Sequence, residues 1–233
     1  MKKEKFCELL ESMKICEKCN NIISNKGKDY SLINIYSDNE FCKNIPSIWT
    51  DWLNRLDSKV MIIGQDWGPY VDMKKLYDLY QKNPTEINWK YLIEQEKSNT
   101  KRLLEHYIKE SSNGKYSIDD IFITNAIMCA RKGTNYRGDN INLKISTNNC
   151  SKYLLKQIDI VKPKVILTLG YYPLLSLSEI YDFNIEKTLK DTINSNPEIK
   201  INDFVIIPLY HPVAQIRKSE QLKQYKRIWK YIN

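Results

Sequence analysis

Val60-Met-Ile-Ile-Gly64 runs straight into Gln65-Asp66-Trp67-Gly68-Pro69-Tyr70, and on this stretch the fold turns. Four consecutive apolar residues closed by glycine read as a strand buried on both faces, because a strand with one wet face alternates. The polar and aromatic residues that follow leave the end of that strand. Two similar runs are Lys164–Gly170 (KVILTLG) and Phe204–Leu209 (FVIIPL), and a fourth strand is expected over Asp120–Asn125. Helical patterns lie around them. Residues 3–14 carry Phe6, Leu9, Leu10 and Met13 at helical spacing. Val71–Asp120 is a long, mostly helical stretch broken at Asn83-Pro84. Ser146–Val161 reads as a helix with Thr147 as its N-cap and Lys162-Pro163 as its stop. Tyr172–Ile180 reads as a short helix and Val213–Ile232 as a final basic, amphipathic one. Short apolar strands alternating with helices predict a three-layer α/β/α sandwich around a four-stranded, mainly parallel sheet. The 233 residues suffice for one such domain, 1–233, with 71–120 as a helical elaboration.

In open parallel sheets the ligand site lies at the carboxyl ends of the strands. That rule gathers GQDWG after the first strand, Asn125 at the end of the second, Gly170 after the third, and Tyr210-His211-Pro212 after the fourth. Each has an ordinary explanation alone: a capping acid, an amide bonding backbone, a turn histidine. Together they put a carboxylate, an amide and one of only two histidines at one sheet edge.

Composition narrows the partners. Lysine plus arginine number 36 against 28 acids, a formal charge of +8 and a sequence pI of about 9.0. A basic surface attracts a polyanion such as DNA, single- or double-stranded, through salt-dependent counterion release. A bias toward Lys, Asn, Ile and Tyr also follows from AT-rich coding, so charge alone leaves nucleic acid open. No 18 apolar residues run together, and the charged start MKKEKFCELLESMKIC lacks a secretory signal's apolar core. A cytoplasmic monomer away from the membrane is expected. Cysteines stand at 7, 16, 19, 42, 129 and 150. Cys16-Glu-Lys-Cys19 can chelate a metal or form a redox couple, and Cys129 and Cys150 can complete four ligands; four ordinary small hydrophobes are the alternative.

With these features laid out, the chain resembles the uracil-DNA glycosylase superfamily. IIGQDWG resembles its first motif, Gly-Gln-Asp-Pro-Tyr in the classical enzymes and Gly-Glu-Ala-Pro-Gly in the iron–sulfur branch called family four. FITNAIMC is similar to that branch's strand ending in Asn with a cysteine four residues on. CSKYLLKQIDIVKPKVILTLG is similar to its Cys-led helix, Pro-Lys turn and following strand. YHPVAQIRK resembles the closing His-Pro motif, and Cys16 with Cys19 the N-terminal pair. The resemblance implies a 4Fe-4S cluster on Cys16, Cys19, Cys129 and Cys150, structural in role, with Cys7 and Cys42 outside the pattern.

It also implies a monofunctional DNA glycosylase that flips a uracil or modified pyrimidine out of the stack and leaves an abasic site. Breaking an N-glycosidic bond builds positive charge on the sugar and negative charge on the base. Asp66 is the candidate for the sugar side and the water, His211 for a donor to base O2. Asn125 can donate and accept at the base edge, with Gln65 beside it; Trp67 and Tyr70 are candidate stacking platforms. DNA contacts are expected from Gly64, Gly68 and Gly170 backbone amides and from Arg217, Lys218, Lys223 and Lys226. The last group also reads as a solvated helix face. Gln215 or Ile216 is the candidate wedge into the stack.

Three departures set the chain apart. Its first motif joins the classical Gln-Asp to an iron–sulfur cysteine pattern. Trp67 stands where proline is expected, and the branch's Pro-Phe-Val-Gly segment is missing. The span before Asn125 is longer. Two rival functions follow: excision of a hypermodified cytosine, such as a glucosylated hydroxymethyl form in phage DNA, serving defence, and a non-catalytic nucleic-acid-binding module with a structural cluster. A thiol-redox protein built on Cys16 and Cys19 is a third class.

Overall fold

Alternation along Val60–Gly64 divides the core in two. Met61 and Ile63 point into one apolar cluster, Val60 and Ile62 into the other, all at most 3% exposed. The computed structural model describes residues 1–19, 32–37, 52–74, 99–132 and 143–232. The elements are α1 (Lys2–Lys14), β1 (Leu32–Ile33), β2 (Val60–Gly64), α2 (Asn99–Ser111), β3 (Phe122–Asn125), β4 (Ala130–Arg131), α3 (Leu143–Val161), β5 (Val165–Leu169), α4 (Tyr171–Tyr181), α5 (Leu189–Ser195), β6 (Ile199–Ile201), β7 (Phe204–Leu209) and α6 (Lys218–Tyr225).

The main sheet runs β3-β2-β5-β7-β6. The first four are mutually parallel, and β6 adds to the β7 edge antiparallel. Phe6, Leu9 and Met13 of α1, Leu154 and Ile158 of α3, and Leu174 and Leu177 of α4 cover one face. Leu104, Tyr107 and Ile108 of α2, with Tyr225, Ile228 and Trp229, cover the other. This is the expected three-layer architecture. Burying strands on both faces is what allows uninterrupted apolar runs such as VMIIG and VILTL. A second, two-stranded sheet pairs β1 with β4.

Several local expectations are corrected. The sheet has five strands, because Ile199–Ile201 turns back through Asn202, at φ 44°, onto Phe204. Three residues of IKI are too short for a periodicity signal. The second strand begins at Phe122, since Ser117 and Asp120 cap each other reciprocally and hold 118–120 in a 3-10 turn. Thr147 lies inside α3 and its hydroxyl donates to the Lys144 carbonyl, so it is no N-cap. The final helix is only Lys218–Tyr225: after Pro212 the chain makes turns, with Ala214 N–H bonded to the His211 carbonyl at 2.8 Å. Trp229–Tyr231 form a separate 3-10 turn. Cys42 and the Asn83-Pro84 break lie outside the described residues. Among those described, no helix is long and apolar enough to cross a membrane.

Candidate active site

The parallel strands β2, β3, β5 and β7 end on the same edge, so Gly64, Asn125, Gly170 and His211 emerge together. Gly64 and Asn125 are register partners. A side chain on residue 64 would put its Cβ 2.4 Å from Asn125 Oδ1, so the missing Cβ is what lets the carboxamide lie across the strand end. Asn125 is 7% exposed. Ala126 N–H bonds the Gly64 carbonyl and Ile127 N–H the Gln65 carbonyl, which fixes the chain just beyond it.

Asp66 is the most heavily held side chain of the group. Its Oδ1 accepts from Gly68 N–H at 2.7 Å, and its Oδ2 accepts from Gln65 Nε2 at 2.9 Å. Gly68 sits at φ 83°, a left-handed conformation that glycine adopts without strain, and this turn aims its N–H back at the carboxylate. Arg131 Nε lies 3.2 Å from Oδ1, with the Asp66 side chain 4% and the Arg131 side chain 10% exposed. Arg131 was not among the sequence candidates. Its signal was faint: one arginine six residues beyond Asn125, in CARKG. Only the β1–β4 ladder and the Pro69–Arg131 bridge bring it back over the first loop.

Opposite stands His211. Burial pushes its pKa below the ordinary histidine value, while the negative charge of Asp66 opposes the shift. The two groups therefore feel each other, and the imidazole is neutral near neutral pH. The loop after it is braced from below: buried Gln221 donates to the Pro212 and Ala214 carbonyls, each at 3.4 Å. Gln215 is exposed and Ile216 half-buried, and Val213 also reaches solvent. Arg217, Lys218, Lys223 and Lys226 are all exposed. Gly170 bonds the Leu209 carbonyl through its N–H and starts α4 at φ 100°, with nothing near where a Cβ would be.

One aromatic expectation is corrected. Trp67 is 4% exposed and belongs to the core: its Nε1 donates to Tyr36 Oη at 3.0 Å and its ring packs on Trp52 at 5.7 Å. The loop turns Asp66 toward the sheet end and Trp67 inward, so Trp67 is an anchor and not a base platform. Tyr70, at the start of the helical residues 70–74, is half-buried and remains near the strand end.

The cysteines gather behind the site. Cys19 and Cys129 pack with Leu32 and Ile127, and Cys150 is buried beside them. Asn149 Nδ2 donates to Cys19 Sγ and Met128 N–H to Cys150 Sγ, both at 3.5 Å. Burial pushes the Cys129 thiol far up and the Cys150 thiol to about 12, and each is raised further by Cys16 and Cys19. Buried as they are, Cys19, Cys129 and Cys150 are poor bare thiolates; a cation is what makes such a set favourable. Among the described residues no three Cys, His, Asp or Glu converge as a single metal ion requires. Cys7 is exposed on α1, apart from this group.

A family model described as the uracil DNA glycosylase superfamily matches residues 50–233. A type-4 uracil-DNA glycosylase of Sulfurisphaera tokodaii is 31% identical over 99 residues, which span 42% of this chain and 43% of that protein. The match over most of the chain takes in every strand of the main sheet and every strand-end residue described above, and the chain belongs to the uracil DNA glycosylase superfamily.

Proposed function

We propose that this chain is a monofunctional DNA glycosylase that hydrolyses the N-glycosidic bond of a flipped-out pyrimidine, with uracil as the substrate. The observation that carries this reading is the convergence of Asp66, Asn125 and His211 on the carboxyl edge of the sheet. Superfamily membership and the likeness to a type-4 uracil-DNA glycosylase support it. In this reading the Asn125 carboxamide, admitted by Gly64, reads the base edge, and Tyr70 lies along its face. The base departs with the bond's electron pair, and negative charge spreads onto O2. A neutral His211 donates an N–H to that oxygen without first losing a proton. Asp66 faces the sugar, where its charge offsets the developing cation. A water adds to C1′ and passes its proton to Asp66; that proton then returns through solvent to the departed base anion, so abasic DNA, free base and the Asp66 carboxylate result. Oδ2 accepts one hydrogen bond among the described residues, which leaves a lone pair for that water. The N–H groups of Gly68 and Gly170, expected at phosphates, are instead committed to Asp66 Oδ1 and the Leu209 carbonyl; the exposed Arg217 and Lys218 suit phosphates, with Gln215 at the loop tip as the wedge.

Cys16, Cys19, Cys129 and Cys150 would hold a 4Fe-4S cluster. What supports this reading is the donor chemistry: Cys19, Cys129 and Cys150 are buried sulfurs with Cys16 in electrostatic reach, a four-thiolate set of the kind iron–sulfur clusters take. When bound it supplies a clip joining the end of α1 to β4 and α3. The chemistry belongs to Asp66, Asn125 and His211.

The test is strand cleavage by mild alkali after incubation with end-labelled oligonucleotides. These carry uracil opposite G, uracil opposite A, single-stranded uracil, or hydroxymethylated or glucosylated cytosine. Breaks at uracil, absent with Asp66→Asn and His211→Ala, support the proposal. Breaks only at modified cytosine keep the mechanism and move the role to defence. Bound DNA without breaks leaves a binding module.

A further inference from the structure

We infer that Arg131 is a positioning residue for Asp66, holding the carboxylate in the orientation that hydrolysis needs; this rests on the glycosylase reading above. Arg131 is 8% exposed as a whole residue, an unusual place for a guanidinium unless it has work there. Its Nε stands 3.2 Å from Asp66 Oδ1. Its own backbone is fixed independently: Arg131 N–H bonds the Gly68 carbonyl at 2.9 Å, the residue bridges to Pro69, and it pairs with Leu32 in the small sheet. Arg131 and the 66–69 loop are thus tied by a main-chain hydrogen bond and, between the side chains, by an ion pair in which Nε approaches Oδ1 without a hydrogen bond. Arg131 is also two residues beyond Cys129, which is buried against Cys19 and Leu32.

The consequence is a division of labour on one carboxylate. Oδ1 takes the Gly68 N–H and lies against the Arg131 charge, while Oδ2 takes one hydrogen bond, from the Gln65 amide, and keeps a lone pair for the water. A stability role alone is a weaker account. A buried ion pair seldom adds net stability over an apolar pair, whereas a fixed carboxylate is worth much in a site where small displacements cost rate.

The experiment uses the full chain in single-turnover excision at saturating protein, on the oligonucleotide the wild type cleaves, with DNA affinity measured in parallel. The variants are Arg131→Lys, Arg131→Met, Asp66→Asn and the double Asp66→Asn/Arg131→Met. Arg131→Met is expected to lose about 100-fold in rate, with DNA affinity unchanged. Arg131→Lys should lie between it and wild type. In Asp66→Asn the added Arg131→Met should cost nothing further, since nothing is left to position. Guanidinium chloride at low concentration should restore part of the Arg131→Met rate, relative to matched sodium chloride, and none of the Asp66→Asn rate. Arg131→Lys keeps the buried positive charge beside Asp66, so it reports the rate question even where Arg131→Met folds poorly. An active wild type with Arg131→Met within threefold of it overturns this inference, as does a loss confined to DNA affinity. A wild type that excises no base overturns the glycosylase reading first, and this one with it.

Discussion

The carboxamide of Asn125 lies where a side chain on Gly64 would be: a Cβ there would stand 2.4 Å from Oδ1. The backbone at Gly64 is ordinary strand, so alanine would meet no conformational penalty there. The clash is with the far end of one side chain, which can swing away. Gly64→Ala should therefore keep the fold and turn Asn125 out of position. Excision should fall by about 10- to 100-fold, as for a lost bidentate base contact, with a melting temperature close to wild type. A large drop in melting temperature with normal excision would count against it.

Asp66→Asn tests the acid and the ion pair together. Excision should fall by at least about 100-fold, the scale of losing an electrostatic partner of the transition state. The amide keeps the shape but leaves Arg131 beside a neutral group. Breaking a buried pair costs about 3 kcal/mol, so the chemical denaturation midpoint should drop as well. DNA affinity should persist, because phosphate contacts lie elsewhere.

His211 offers a pH signature with a definite sign. Its folded value is lowered by burial, so the unfolded chain takes up a proton first as pH falls. The stability tied to its neutral form is complete above the ordinary histidine value of about 6.5. It is lost as pH falls from there through the folded value. Proton NMR of the chain's two histidines, with His106→Gln to assign them, should show His211 titrating below 6.5. Asp66→Asn removes the charge that, among the described residues, opposes the shift, so His211 should titrate lower still. An upward move would reverse the assigned electrostatics.

Trp67→Ala distinguishes an anchor from a stacking platform. Removing a core indole that is bonded to Tyr36 and packed on Trp52 should cost about 3–5 kcal/mol. Trp67→Phe should recover most of this loss and excise at nearly the wild-type rate. A rate loss without a stability loss would return Trp67 to the base pocket.

The four cysteines should act as one unit. Anaerobically purified protein should carry about four iron atoms per chain and absorb broadly in the visible. Cys129→Ser or Cys150→Ser should abolish both and lower the melting temperature, while Cys7→Ser should change neither. Iron retained in Cys129→Ser would remove that residue from the ligand set.

What could be read from the chain in advance followed from periodicity and punctuation. VMIIG, KVILTLG and FVIIPL are apolar without alternation, which only a sheet covered on both faces accommodates, and the breaks after them name the residues of the site edge. Gly64, Asp66, Asn125, Gly170 and His211 were legible as strand-end residues for that reason, whereas the grouping of Cys129 and Cys150 with Cys16 and Cys19 came from the family resemblance. The closing helix was misjudged because Val213–Ile232 has an amphipathic composition throughout. The turns after Pro212, bonded back to the His211 carbonyl, take its first five residues out of the helix.

The sequence by itself determined the layered fold, the strand ends that meet, and the residue types offered there, because these depend on local pattern and on one general rule of parallel sheets. Only the tertiary structure decided which neighbour each side chain serves. Trp67 and Asp66 are adjacent in the chain, yet one enters the core to bond Tyr36 and the other turns out to meet Arg131, 65 residues away. That choice is made by the left-handed turn at Gly68, which is local, and by the pairing of β4 with β1, a contact between segments far apart in sequence that no local pattern encodes.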